Sequence, residues 1–447
     1  MQSLKIFFYI LATLFIISCG KTDVPEAGLK HPEWSQNNTI YELNIRQFSG
    51  SGTFNAITPR LVAIRDLGVK TIWLMPIHPI GEKNRKGNLG SPYSVKDYRA
   101  VNPEYGTIED FKVLVNRIHE MGMYVIIDWV ANHTSWDNDL IHKHPDWYSQ
   151  DSTGTIISPN PDWTDVADLN YENRQVWDYM IESMKFWVQE TGIDGFRCDV
   201  AEMVPLEFWQ EARTELDKVK PVFMLAEGAK PELHSAFDAT YSWNLFHLMN
   251  EIAAGKRTAN SIDTLLRAER DSYPASAMRM RFTSNHDENS WNGTVFERLG
   301  EGAKTFAVLS ATLPGIPLLY SGQEAGMDKR LSFFDKDPIE WRVNYFRRFY
   351  SRLFRLHQTN SALYAGSMEI IPTEANKTVF AFVRENEKQK IVTVLNFSAD
   401  TQQIVLKTSG VADTYREHFT SRKTELHRRE HMTLEPWDFK VFVKIQN

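Results

Sequence analysis

Cysteine is almost absent from this chain. There are two in 447 residues, Cys19 and Cys198, in settings too unlike to pair, so no disulfide is expected. There is no surplus of positive charge either. Fifty Lys and Arg against 57 Asp and Glu leave a formal net charge of −7, which offers nucleic acid no footprint, and no nucleic-acid partner is expected. Long apolar runs are confined to the first twenty residues, and no later stretch is apolar enough to cross a membrane. No sequence repeats at a fixed short period. What is plentiful is apolar and aromatic content: 42% hydrophobic, with 13 Trp and 16 Tyr, enough for a large core and for stacking on flat ligands.

The one apolar run is an address. Lys5 precedes an apolar stretch over residues 6–17 that is short for a membrane span and ends in Ile16-Ile17-Ser18-Cys19. That ending resembles a bacterial lipobox, in which the cysteine is lipidated and becomes the mature N-terminus. The expectation is a leader over residues 1–19, a polar tether over 20–33, and a protein held in the cell envelope by a lipid on Cys19.

Beyond the tether, strand and helix patterns alternate. Strand candidates occupy residues 40–45, 69–76, 123–128, 193–199, 222–227, 237–241, 278–283 and 316–320. Helical spacing is read over 57–67, from the Thr107-Ile108-Glu109-Asp110 capping box to about 121, and over 174–190, 205–219 and 341–357. Eight alternations predict a closed (β/α)8 TIM barrel over residues 34–358, with an aperiodic, Trp- and Asp-rich excursion at 134–170. Short strands at 367–371, 378–383, 390–395 and 437–443 then predict a C-terminal antiparallel β-sandwich over 359–447.

Barrel chemistry sits where strands end. Those ends carry Asp128 with Asn132 and His133, then Arg197 and Asp199, then Glu227, then Asn285, His286 and Asp287. Alternation along a strand points Arg197 and Asp199 the same way, so a guanidinium is expected to keep a carboxylate ionised. Apolar Leu225 and Ala226 are expected to favour a protonated Glu227. Two carboxyls at close range, one ionised and one protonated, are what glycoside cleavage requires. Asp287 would add a third negative group near the reacting centre.

These stretches resemble the α-amylase family (glycoside hydrolase family 13) across roughly residues 34–447. Asp128-Trp129-Val130-Ala131-Asn132-His133 is similar to the family's D-x-x-x-N-H. Gly195-Phe196-Arg197-Cys198-Asp199-Val200-Ala201 is similar to G-F-R-x-D-x-A, and Asn285-His286-Asp287 to N-H-D. Residues 68–76 fit G-x-x-x-x-W-x-x-P, and residues 315–324 fit G-x-P-x-x-Y-x-G-x-E. The resemblance implies a retaining glycosidase acting on α-glucans, with Asp199 as nucleophile, Glu227 as general acid/base and Asp287 as transition-state stabiliser. It also implies Tyr93, His133, Arg197 and His286 as partners of the sugar.

Three departures bear on substrate and metal. Glu202-Met203 stands where many members carry Lys-His, Ser91 where a His often precedes the Pro-Tyr pair, and Ala167-Asp168-Leu169-Asn170 lacks the usual leading residues of the fifth motif. The family's calcium site is therefore expected to be altered although Asn132 is kept, and no cofactor is expected. Trp136, Trp147 and Trp163 are read either as sugar platforms or as packing of the excursion, and Cys198 as a small apolar wall residue. The rival functions are an α-glucan transglycosylase, differing in its acceptor, and a non-catalytic glucan-binding protein, which the full set of three acids disfavours. Oligomeric state is not legible.

Overall fold

Apolar segments separated by amphipathic helices pair edge to edge until the ring closes. The structure is a computed structural model describing residues 29–407 and 409–445. The leader, Cys19 and the tether as far as residue 28 lie outside the described residues. The barrel strands are β1 (Ile40–Leu43), β2 (Thr71–Leu74), β3 (Tyr124–Trp129), β4 (Gly195–Cys198), β5 (Phe223–Ala226), β6 (Ala239–Tyr241), β7 (Met278–Arg281) and β8 (Ile316–Tyr320). All are parallel and follow chain order round the ring, and β8 returns to β1 through Ile40↔Leu318 and Glu42↔Tyr320.

Alternation sorts the side chains. Ile40, Trp73, Ile126, Leu225, Tyr241, Met280 and Leu318 form one cluster inside the ring. Their strand neighbours Tyr41, Ile72, Ile127, Phe196, Met224 and Leu319 face outward into the larger core shared with the helices. At Gly195, with φ +151°, an added Cβ would fall 1.9 Å from the Phe223 carbonyl oxygen, so only glycine lets β4 approach β5 this closely.

The helix Ile108–Glu120 starts at the expected capping box, with Thr107 and Asp110 satisfying each other's backbone. Arg174–Thr191 stops at Gly192 in the left-handed conformation. The helix read over 57–67 is instead two short helices, Phe54–Ile57 and Leu61–Asp66, joined by the 3₁₀ turn Thr58–Arg60. Pro59 sits in that turn and lacks an N–H to continue a helix. The helix read at 341–357 begins later, at Tyr345, where the Asn344 side chain caps it. Within the excursion, His133–Ser135 and Val166–Asp168 pair antiparallel, too short to produce a visible period. Among the described residues no helix is long and apolar enough to cross a membrane.

The C-terminal module has β9 (Ser367–Ile370), β10 (Val379–Glu385), β11 (Lys390–Asn396), β12 (Gln402–Lys407), β13 (Asp413–Glu417), β14 (Lys423–Leu426), β15 (Arg429–Leu434) and β16 (Phe439–Lys444). Six form a sheet in the order β9-β10-β11-β16-β13-β14, and β12 pairs with β15. Ile404, Leu406 and Leu434 of the pair pack with Val392 and Val394 of the sheet, which makes the module a sandwich. Phe397 meets Phe306 of the barrel helices at 4.8 Å between ring centres, and Arg384 donates to the Thr312 carbonyl at 3.1 Å.

Candidate active site

Strand parity carries Glu42, Asp128, Arg197, Asp199 and Glu227 to the inner face at the C-terminal mouth, each two residues beyond, or in step with, an interior residue. At the centre lies Arg197, whose side chain is fully buried. Its Nη1 donates to Asp128 Oδ1 at 2.9 Å and to Asp199 Oδ1 at 2.8 Å. Its Nε donates to the Tyr241 hydroxyl at 3.1 Å. Nη2 stands 2.8 Å from Glu227 Oε2, a close ion pair whose N–H is not aimed at the oxygen. That Glu227 oxygen instead accepts from the Val200 backbone N–H at 2.8 Å. Three carboxylates from β3 and the ends of β4 and β5 thus share one cation.

A second chain of contacts runs through Tyr93. Its hydroxyl donates to Asp128 Oδ2 at 3.0 Å and lies 2.8 Å from His286 Nε2. The Tyr93 and His286 rings stack at 5.3 Å. His286 Nδ1 contacts Glu42 Oε1 at 2.6 Å, and Nε2 is 3.2 Å from Asp287 Oδ2. Asp287 is the most open of the three acids, its side chain 36% exposed against 14% for Glu227 and 10% for Asp199. His133 is buried, contacts Asn132 at 3.2 Å and meets the Trp163 ring at 5.5 Å.

Burial dominates the electrostatics. It raises Asp199 to about 6 despite Arg197, with Asp128 adding to the rise. The guanidinium therefore limits the rise rather than holding the carboxyl low, which corrects the expectation from the Arg–Asp spacing alone. Burial likewise takes Glu227 to about 7, with Asp199 and Asp287 adding to the effect against Arg197. Asp128 rises to about 6 for the same reason. His286 moves the other way from its burial: Asp287 and Glu42 outweigh desolvation and lift it to about 9. It is therefore a cation at neutral pH, donating from both nitrogens, so that Tyr93 accepts from it and donates to Asp128. Desolvation lowers His133 to about 4, so that ring is neutral.

All seven residues singled out in the sequence line this mouth. Others were not anticipated as part of it: Glu42, Trp73, whose Nε1 donates to Asp128 at 3.2 Å, and Tyr241. A lone carboxylate at the end of the apolar Ile-Tyr-Glu-Leu strand was the available signal for Glu42. Of the three excursion tryptophans, Trp163 lies at the site, whereas Trp147 is buried between His144 and Tyr179 and packs the lobe. Cys198 is buried and faces the outer wall of the barrel.

The altered calcium position can be tested on the residues present. Glu202 Oε1 accepts from the backbone N–H groups of Ala229 and Lys230, at 2.5 and 3.1 Å, so this carboxylate is committed to a turn. The Met203 side chain points to solvent. Among the described residues no group of three or more His, Cys, Asp and Glu side chains is arranged to hold a metal. On this turn the Met203 side chain has no hard oxygen to give, and Glu202 Oε1 is already taken by two backbone N–H groups.

The catalytic-domain model of alpha amylase matches residues 33–166 and 160–344, spanning β1 to β8 and every acid above. The chain belongs to the α-amylase family. A model of the maltogenic amylase C-terminal domain matches residues 368–441. A maltogenic α-amylase from Thermotoga neapolitana is 31% identical, with a TM-score of 0.86 over 93% of this chain and 100% of that one. An α-amylase from Lactobacillus plantarum is 32% identical, with a TM-score of 0.84 over 92% and 100%. Alpha-amylase 2 of Dictyoglomus thermophilum is 25% identical over 430 residues, covering 87% of this α-amylase-family chain and 73% of that protein.

Arg197→Met should destabilise the protein by about 3–5 kcal/mol at neutral pH, because the buried carboxylates lose their cation. Their folded-state pKa values, already above the unfolded ones, would rise further. The folded state then binds more protons than the unfolded state, so stability falls as pH rises through those values. Calorimetry should find the melting-temperature deficit of the variant larger near about pH 8 than near about pH 5.

Proposed function

We propose that this chain is a retaining glycoside hydrolase of α-glucans, such as starch or maltodextrins, in which Asp199 attacks the anomeric carbon and Glu227 protonates the leaving oxygen. The observation that carries this reading is the convergence of Asp199 and Glu227 on the two terminal nitrogens of Arg197. Two carboxyls resting on one guanidinium lie close together, as a mechanism in which the second acts as nucleophile rather than activating a water requires. Their ordering also fits: Asp199, near 6, ionises before Glu227, near 7, so the competent pair of one carboxylate and one acid is populated near neutrality. In the first step the Glu227 proton goes to the leaving oxygen and a glycosyl ester forms on Asp199. In the second step Glu227 takes a proton from water, which releases the sugar with its configuration kept.

The surrounding groups act on charge and position. Asp287, open to the mouth and within range of both acids, stabilises the oxocarbenium-like centre. Tyr93 presents a ring to the sugar face, fixed by His286 behind it and Asp128 at its hydroxyl. His133, neutral, supplies a donor to a sugar hydroxyl. His286, with its two N–H groups on Glu42 and Tyr93, fixes Tyr93 and adds a positive charge, and Arg197 fixes both reacting carboxyls. Activity does not depend on calcium at the family's usual position, where Glu202-Met203 replaces Lys-His. The lipobox reading places the protein in the cell envelope on a Cys19 lipid.

Asp199→Asn should lower turnover on soluble starch by several orders of magnitude with the melting temperature preserved. Near-normal turnover would refute the assignment, as would a first product of β configuration by proton NMR. For the wild type, kcat/KM should be bell-shaped: it rises with pH as Asp199 deprotonates near 6 and falls as Glu227 deprotonates near 7.

Excess EDTA should leave activity and melting temperature unchanged. A fall in either that calcium alone restores would show an occupied site. Cell fractionation should find the wild type with membranes and Cys19→Ala released or unprocessed; wild type in the soluble fraction would remove the anchor.

A further inference from the structure

The segment between β2 and Tyr93 carries turns and charges that the chemistry above leaves unused. Residues 81–90, G-E-K-N-R-K-G-N-L-G, contain three left-handed positions, Asn84, Gly87 and Gly90, at φ 60°, 63° and 76°. The chain therefore folds back on itself. Arg85 fixes its body, donating to the carbonyls of Gly81 and Ile80 at 2.8 and 3.2 Å.

The loop is tied at both sides. Toward the excursion, Lys86 Nζ stands 3.1 Å from Asp165 Oδ1 and donates to the Asp162 carbonyl at 2.6 Å. The Asp165 side chain is only 7% exposed, and Ser94, next to Tyr93, donates to its carbonyl at 3.0 Å. Toward the segment after β8, Asn88 donates to Asp335 Oδ1 from its backbone and its side chain, at 3.0 and 2.8 Å. Leu89 N–H adds a bond to the Phe334 carbonyl at 3.1 Å.

Each tie adjoins a wall of the site. Trp163, against His133, lies between Asp162 and Asp165. Phe333, beside Phe334, has its ring 6.2 Å from both Tyr93 and His286. The loop thus spans from one wall to the other on the side of Tyr93. That side belongs to β8, β1, β2 and β3, across the ring from β5 and Glu227. A general acid sits beside the leaving oxygen, so the departing portion of a glucan lies toward Glu227 and the retained portion toward Tyr93.

We infer that residues 81–90 are a strap closing the glycone end of the site, with Lys86 as a positioning residue. Only a short terminal stretch of chain fits beyond the scissile bond, and the enzyme releases glucose or maltose from non-reducing ends. This specificity rests on the α-glucan reading above.

Maltoheptaose labelled at its reducing end separates the two portions, since the retained portion leaves without label. For the wild type, the first unlabelled products should be glucose and maltose. Lys86→Met, which keeps the stem and loses the charge, and Asn88→Ala should each raise unlabelled maltotriose and longer products severalfold, with maltotriose hydrolysis little changed. Lys86→Arg should retain the wild-type pattern. Wild type already yielding long unlabelled products, or both weakening variants leaving the pattern intact while maltotriose is cleaved, would overturn the strap. Absence of hydrolysis of any α-glucan by the wild type would overturn the functional reading beneath it, and the strap with it.

Discussion

A guanidinium without water around it must find its compensation in carboxylates, and everything at the barrel mouth follows from how Arg197 does so. Its partners arrive from three consecutive places in the ring: Asp128 on β3, Asp199 just past β4 and Glu227 just past β5. One buried cation facing three buried acids leaves an excess of negative charge, which the site resolves by keeping a proton. Glu227, whose contact with the guanidinium is poorly aligned, is raised to about 7 by burial, with Asp199 and Asp287 adding to the rise. Burial and the neighbouring carboxylates thus leave Glu227 holding a proton beside Asp199, which Arg197 hydrogen-bonds directly.

The remaining polar groups close a circuit around that arginine. Glu42 on β1 holds His286 beyond β7, His286 meets Tyr93 beyond β2, and Tyr93 donates to Asp128 on β3, which accepts from Arg197. The links come from β1, β3 and β4 and from the segments after β2 and β7. Ring orientation at the sugar-facing surface is therefore set by tying those segments back to residues held in barrel register. Fixed donors and charges of this kind need little reorganisation as charge develops during reaction.

The barrel and most of the site could be read in the chain because parallel buried strands are apolar runs with polar residues at their ends, and two-residue alternation fixes which ends face inward. Glu42 escaped because its strand carries no accompanying motif and its partner His286 is 244 residues away. The strength of burial relative to Arg197 at Asp199 also escaped, since spacing reveals a neighbour but not the water around it. In the C-terminal module, β12 to β15 were invisible: strands such as Lys423–Leu426 and Arg429–Leu434 expose every second side chain and place polar or charged residues there. The composition of the 81–90 loop was plain, yet its anchors Asp165 and Asp335 come from opposite ends of the fold.

The seam where β8 meets β1 has a further consequence, for biosynthesis. The first strand made supplies Glu42, but that carboxylate has no His286 to hold until the chain has grown past β7, and the ring does not shut until residues 316–320 pair with residues 40–42. Contacts of such long range close slowly, and a nascent or truncated chain passes through open sheets with unpaired edges. A fragment lacking β8 leaves β1 and β7 with unpaired edges, so the mouth takes its full form only once the last barrel strand has paired.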